Sequence, residues 1–199
     1  MQYYAPMSKG RMEAFSDGMI GIFITIMVLE LKVPHGDTWS ALRPLIPPFF
    51  TYVLSFIMLG IYWNNHHHLL HAAGRINGKV LWANLHLLFW LSLVPITTGW
   101  MGENHLAPGP TAAYGIVLLF AAIAYTILYR TLVAAQGEGS KLAMAVGRDA
   151  KGNVSMLCYA LAVPLAFVRT WIAVALYILV ALIWLVPDRR IERTLEESQ

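Results

Sequence analysis

The chain has 199 residues, of which 58% are hydrophobic and 13% are charged, and its mean hydropathy is +0.58. Soluble domains carry about 25% charged residues, so this composition excludes an ordinary soluble protein and indicates a polytopic membrane protein. The net charge of +3, with basic residues spread among loops, offers no basic face for a nucleic-acid partner. A single cysteine, Cys158, excludes an intrachain disulfide and a multi-cysteine metal site.

Charged and turn-forming residues divide the chain into six apolar segments, and a membrane-spanning helix needs about 20 apolar residues. The predicted spans are about 15–33, 45–70, 80–99, 111–133, 153–168 and 170–186. The last two spans are short and are separated by little more than Arg169, which predicts a tight helical hairpin. The sequence therefore predicts an all-α fold in which residues 1–199 form one six-span membrane domain, with a short charged cytosolic tail at 187–199.

The distribution of lysine and arginine predicts the orientation of these spans. Six spans place both termini on the same side of the membrane, and cytosolic loops carry the excess of basic residues. Eleven basic residues fall on the side of the termini, and three fall on the opposite side. Those three are Lys32, Arg43 and Arg169. This asymmetry predicts that both termini are cytosolic.

The first span begins with two ionisable side chains, Arg11 and Asp17. An ionisable residue at the start of a membrane helix is costly and is therefore a functional candidate. The two residues lie about 120° apart around the helix, so they are poorly placed to pair, and each is expected to reach another helix. The second and third spans offer polar partners near the same membrane surface, namely Asn64, Asn65, His66, His67, His68, His71, Asn84 and His86. These residues predict a polar layer that joins the first three helices and orients the first.

One face of the first helix carries Ile22, Thr25, Ile26 and Leu29 within an arc of about 100°. A pore lining is one explanation for this stripe. Packing inside the subunit is another, because a threonine hydroxyl in an apolar helix can bond back to a carbonyl, here that of Gly21. The residues alone leave both explanations open.

Three segments of the chain resemble one known family. The motif Arg-x-x-x-Phe-Ser-Asp is formed by Arg11, Phe15, Ser16 and Asp17. It resembles the helix-one signature of the transmembrane-protein-175 family of potassium channels. Residues 62–67 resemble the family's Trp-x-x-His-His segment, with His66 and His67 as its histidines, and Asn84 with residues 93–95 resembles its helix-three pattern. The match covers about the first half of the chain, and the second half agrees only in span number and topology.

The resemblance implies a potassium-preferring cation channel, a homotetramer in which helix one of each subunit lines a central pore. It implies that Ile22, Ile26 and Leu29 form apolar constriction rings, that Thr25 forms a polar ring between them, and that Ile22 and Thr25 influence selectivity. Such a constriction gates by dewetting. Glu30, near the outer mouth, would raise the local cation concentration. The implied partners are potassium ions, lipid and further copies of the chain, without a cofactor, in a prokaryotic plasma membrane.

Two alternatives stay open. Asp17 and the helix-two histidines are groups that a proton-permeable channel or carrier would use as a relay, since histidine titrates near neutral pH. A membrane enzyme with a histidine-bound metal is the other alternative, because His67 and His71 are four residues apart on one helix face. No cysteine or carboxylate accompanies that pair, which argues against a metal site. The sequence therefore favours a transport protein over an enzyme.

Overall fold

The computed structural model describes residues 8–137 and 150–185, and these residues contain α-helices, one 3-10 helix and no strand. The α-helices are α1 (Lys9–Leu29), α2 (Ile46–His71), α3 (Gly78–Ser92), α4 (Val94–Glu103), α5 (Pro108–Gln136), α6 (Ala150–Val168) and α7 (Thr170–Leu185), and the 3-10 helix is Trp39–Leu45. The predicted all-α fold class is therefore confirmed. The predicted cytosolic tail at 187–199 lies outside the described residues.

Five helical segments of the described chain are long and apolar enough to cross a membrane. They are Lys9–Leu29, Trp39–His71, Gly78–Glu103, Pro108–Gln136 and Ala150–Val168. The sixth apolar segment, α7, has 16 described residues and follows α6 after Arg169 alone. The two helices pack against each other, as expected for a tight hairpin.

The first helix begins and ends earlier than the predicted span of 15–33, at Lys9 and Leu29. Its first turn forms on the polar residues that precede the apolar run, where the backbone carbonyl of Ser8 accepts hydrogen bonds from two amides. At the other end, Pro34 disfavours a helical backbone in the residue before it. A turn and irregular residues occupy 30–33 in place of the predicted last turn of the helix.

The predicted third span is split at Leu93 into α3 and α4. Pro95 has no N–H group to donate to the carbonyl of Leu91, four residues earlier, so the regular ladder is interrupted. The hydroxyl of Thr98 donates to the carbonyl of Val94 at 2.7 Å just beyond the break. The hydroxyls of Thr97 and Thr98 thus add side-chain hydrogen bonds to the carbonyls at the start of α4.

The helices form two groups that meet along α5. One face of α1 packs against α2, α3 and α4, whereas α5 packs against α3, α4, α6 and α7. The buried residues of α1 are Met12, Ser16, Ile20, Phe23 and Met27. Their spacing of three or four residues places them on one side of the helix. The core of the described chain therefore covers one face of α1 and leaves the opposite face free.

Glycines permit the closest contacts between helices in this core. A Cβ atom at Gly102 of α4 would lie 2.6 Å from Thr51 Oγ1 and 2.7 Å from Pro48 Cα, so α4 lies directly against the start of α2. A Cβ atom at Gly115 of α5 would collide with the hydroxyl of Tyr177, which donates a 2.9 Å hydrogen bond to a backbone carbonyl of α5. Small residues let membrane helices approach closely in this way.

We expect Gly102→Ala to lower the melting temperature of the purified protein, because the added methyl group meets backbone atoms that have little freedom to move. Overpacking of this kind costs about 1–3 kcal/mol. Gly99→Ala in the same helix is the matched control, since nothing lies within 4 Å of its Cβ position. Equal melting temperatures for the two variants would contradict the close contact between α4 and α2.

Candidate pore-lining helix and its polar anchor

The face of α1 that the core leaves free carries the predicted pore stripe. The exposed fractions are 52% for Ile22, 40% for Ile26 and 81% for Leu29, and Thr25 is also exposed. Packing inside the subunit therefore does not account for this stripe. A large exposed apolar face indicates contact with something other than bulk water. The possible contacts are lipid, another subunit and a narrow pore.

Thr25 is the polar member of this face. Its hydroxyl donates a 2.9 Å hydrogen bond to the carbonyl of Ile22, three residues earlier, and not to Gly21 as the sequence suggested. The hydroxyl proton is thereby occupied, and the oxygen lone pairs remain available to a cation on the exposed face. Nothing lies within 4 Å of the Cβ positions of Gly18 and Gly21, so the same face is open just before Ile22.

Two acidic groups and one lysine lie near the C-terminal end of α1. Glu30 is the exposed C-terminal cap residue of α1, at the predicted outer mouth. Lys32 forms a 2.6 Å ion pair with Glu103 at the end of α4. The hydrogen bond and charge of Glu103 raise the pKa of Lys32 above its ordinary value of 10.5, and Glu30 contributes less. Lys32 therefore stays cationic and neutralises Glu103, while Glu30 has no ion-pair partner among the described residues.

A chain of three buried polar side chains joins α1, α2 and α3. His66 Nε2 donates to Asn84 Oδ1 at 2.7 Å, and Asn84 Nδ2 donates to Ser16 Oγ at 2.9 Å. Ser16 Oγ in turn donates to the carbonyl of Met12 at 2.8 Å. The three side chains are at most 2% exposed. Because each bond requires its partner in one position, this polar chain fixes the rotation of α1 relative to α2 and α3.

His66 has one ring nitrogen outside this network. Its Nδ1 atom is buried and has no hydrogen-bond partner in the described part of the chain. Because Nε2 donates to a carbonyl oxygen, Nδ1 is the unprotonated nitrogen of the neutral ring. A second proton on this ring would create a buried cation, which is costly without a partner.

Asp17 contacts α2 through a residue that sequence reasoning did not select. Trp63 Nε1 donates to Asp17 Oδ1 at 3.0 Å. The Trp63 ring stacks on His67 with centroids 6.0 Å apart, and His67 stacks on His71 at 6.1 Å. His67 is thus part of an exposed row of rings on α2 and not of the buried chain. The contact between Trp63 and Asp17 could not be predicted from the sequence, because residue spacing does not reveal which indole lies next to which carboxylate.

The two remaining motif residues lie on the free side of α1. Arg11 is exposed, and no described residue accepts a hydrogen bond from its guanidinium, so the expected contact with another helix does not occur within these residues. Phe15 is 50% exposed. The structure therefore divides the motif between a buried anchor, Ser16, and side chains that face away from the core.

No group of three or more His, Cys, Asp or Glu side chains in residues 8–137 and 150–185 is arranged to hold a metal ion. The pair His67 and His71 stacks ring on ring along one exposed helix face. The site in the described chain is therefore best characterised as a helix face with a polar anchor.

Comparison with known proteins assigns this chain to a family. The model of the family described as the endosomal/lysosomal potassium channel TMEM175 matches residues 11–95. A potassium channel of Chryseobacterium sp. (strain P1-3) is 55% identical over 192 residues, which cover 96% of this chain and 100% of that protein. The chain belongs to the TMEM175 family. This TMEM175 member is therefore a multi-pass membrane protein of a channel family, which indicates transport and not enzymatic catalysis.

Two further relatives extend the comparison. The crystal structure of a lysosomal potassium-selective channel TMEM175 homolog from Chamaesiphon minutus superposes with a TM-score of 0.78 at 27% identity, covering 89% of this chain and 96% of that one. The endosomal/lysosomal proton channel TMEM175 of Gallus gallus is 37% identical over 76 residues, which cover 32% of this chain and 15% of that protein. Relatives in this family are thus named either as potassium channels or as proton channels.

We expect Asn84→Leu to destabilise the protein, because it leaves the buried Nε2–H of His66 without an acceptor and removes the donor to Ser16. An unsatisfied buried group costs about 1–3 kcal/mol. The measurement is the melting temperature of the purified protein, with Asn153→Leu, at an exposed position of α6, as the matched control. Equal melting temperatures for Asn84→Leu and the control variant would show that the polar chain does not anchor α1.

Proposed function

We propose that this chain is the subunit of a homotetrameric, potassium-preferring channel of the prokaryotic plasma membrane, with its pore lined by the free face of α1. The observation that carries this proposal is the exposure of Ile22, Thr25, Ile26 and Leu29 opposite a fully packed face. The names of its bacterial relatives and of the solved homolog support potassium as the ion. The excess of basic residues on the side of the termini supports cytosolic termini.

The chemistry of the free face supports passive flow through an apolar constriction. Four Ile22 side chains around one axis form a neck that excludes water and ions when narrow and conducts when slightly wider. Potassium releases hydration water at lower cost than sodium, so an apolar neck favours potassium modestly. The Thr25 hydroxyl oxygens and the Glu30 carboxylates at the outer mouth stabilise the cation on either side of the narrowest rings.

The buried side of α1 gives the constriction a defined geometry. A ring of isoleucines functions as a gate only when each helix presents the same face to the axis. The hydrogen bond from Asn84 to Ser16 holds α1 in one rotation, and about 100° separates successive residues around a helix. The motif residue Ser16 therefore acts as a positioning residue for Ile22, without itself contacting the ion.

The test is the potassium and sodium flux of the protein in liposomes. We expect Ile22→Ala to increase cation flux and to reduce the preference for potassium, because a smaller side chain widens the neck and admits more hydrated ions. Ile127→Ala is the matched control, since Ile127 is 41% exposed on α5, away from α1. Wild-type flux and preference in Ile22→Ala would remove this residue from the pore, and absence of any flux in an intact tetramer would refute the channel.

A proton pathway is the second candidate, and the contact of Asp17 with the row of rings on α2 favours it. The name of the Gallus gallus relative supports the same possibility. A proton flux through Asp17 is expected to depend steeply on pH and to be lost in Asp17→Asn, whose amide oxygen still accepts the bond from Trp63. The measurement is acidification of liposomes that contain a pH-sensitive dye. A proton flux that persists in Asp17→Asn would exclude Asp17 from the pathway.

A further inference from the structure

His86 on α3 carries a hydrogen-bond donor that the described chain does not use. Trp90 Nε1 donates to His86 Nε2 at 3.0 Å, so Nε2 is an acceptor and the ring proton resides on Nδ1. His86 is exposed, and no described residue accepts a hydrogen bond from its Nδ1. The neighbouring surface is apolar, because Leu85 is 42% exposed and Phe89 is 55% exposed.

The position of His86 along α3 places this donor inside the membrane. It lies one turn beyond Trp82, which is 76% exposed, and about 12 Å from the start of α3 at 1.5 Å per residue. The span Gly78–Glu103 has its midpoint near residue 90, so His86 lies about 7 Å from the centre of a bilayer whose apolar core extends about 15 Å on either side. Ionisable side chains at such depth face protein or water, and an N–H group directed into lipid lacks an acceptor.

Asn64 on α2 lies at the same depth as His86. The hydrogen bond between His66 and Asn84 sets the register of the antiparallel helices α2 and α3. Asn64 precedes His66 by two residues and His86 follows Asn84 by two, so both lie about 3 Å farther from the loop that joins the helices. Two residues also correspond to about 200° of rotation, which turns both side chains away from the buried bond.

The two side chains are located on different flanks of α1. This helix packs against both α2 and α3, and within the described chain those two helices pack far less against each other. Asn64 is exposed, and its amide has no hydrogen-bond partner among the described residues. One subunit thus offers an unused donor on the α3 flank and an unused amide oxygen on the α2 flank, at equal depth.

We propose that α2 and α3 of adjacent subunits form the subunit interface, in which His86 Nδ1–H donates to the Asn64 side-chain oxygen of the next copy. The inference rests on the proposed tetramer with α1 at its centre. A ring requires two different complementary flanks on each subunit, because each contact repeats head to tail. The α2 and α3 flanks satisfy that requirement, and the Asn64 amide and the His86 ring supply matching polar groups.

The shapes of the two flanks agree with this pairing. Gly60 lies one turn beyond Asn64 on α2, and nothing lies within 4 Å of its Cβ position. Phe89 lies three residues beyond His86 on α3, at a depth within about 2 Å of Gly60. An exposed aromatic ring on one subunit thus meets an open glycine on the next, the arrangement by which membrane helices approach closely.

Cross-linking between two separately tagged copies tests the interface. In a Cys158→Ser background, Asn64→Cys with one tag is coexpressed with His86→Cys carrying a larger tag, and membranes are treated with a short bifunctional methanethiosulfonate. We expect a reducible band of mixed size. Trp82→Cys replaces His86→Cys in the matched control, since it lies on the same face of α3 about 6 Å nearer the loop. Its cross-linking yield is expected to be severalfold lower.

The outcomes separate this inference from the proposed function. A conducting tetramer in which the pair of positions 64 and 86 does not cross-link, or in which Trp82→Cys reacts equally, overturns the interface alone. A wild-type monomer without potassium flux overturns the channel and the interface together.

The hydrogen bond itself is tested by the tetramer fraction in detergent for Asn64→Leu, His86→Phe and the double variant. We expect the double variant to lose little more than either single variant, and additive losses would overturn the bond.

Discussion

The buried hydrogen bonds from His66 through Asn84 to Ser16 are the interaction on which the rest of the structure depends. A hydrophobic effect between helices is absent in lipid, so apolar residues alone do not select one rotation of a helix against its neighbours. A directional bond between fixed side chains does. Because it acts on the side of α1 opposite to Ile22, it determines which residues remain on the free face of α1.

The sequence predicted the periodic features of this fold better than its contacts. Apolar runs identify the helices, because placing charge in lipid is costly, and the orientation inferred from the basic loops stays a prediction. The period of Ile22, Thr25, Ile26 and Leu29 identifies one distinctive face of α1, and the structure leaves that face exposed. Helix termini were less accurate, since the first helix begins within polar residues and the predicted third span is interrupted at Leu93, next to Pro95.

The contacts of the motif were only partly predictable. Ser16 and Asn84 are polar residues in apolar surroundings, and such residues must find partners, which predicts a polar layer. The pairing of Asp17 with Trp63 has no comparable signal, because an indole in a membrane helix also suits the interface or the core. Arg11 was expected to reach another helix, yet it is exposed in the subunit.

The ion pair between Lys32 and Glu103 links the end of the candidate pore helix to α4, and both side chains are largely exposed to solvent. Attraction between exposed charges is screened by dissolved salt, with a screening length of about 10 Å at 0.1 M ionic strength and about 3 Å at 1 M. This ion pair therefore weakens as the salt concentration of the surrounding medium rises. The C-terminal end of α1 is therefore held to α4 more loosely at high ionic strength than at low ionic strength.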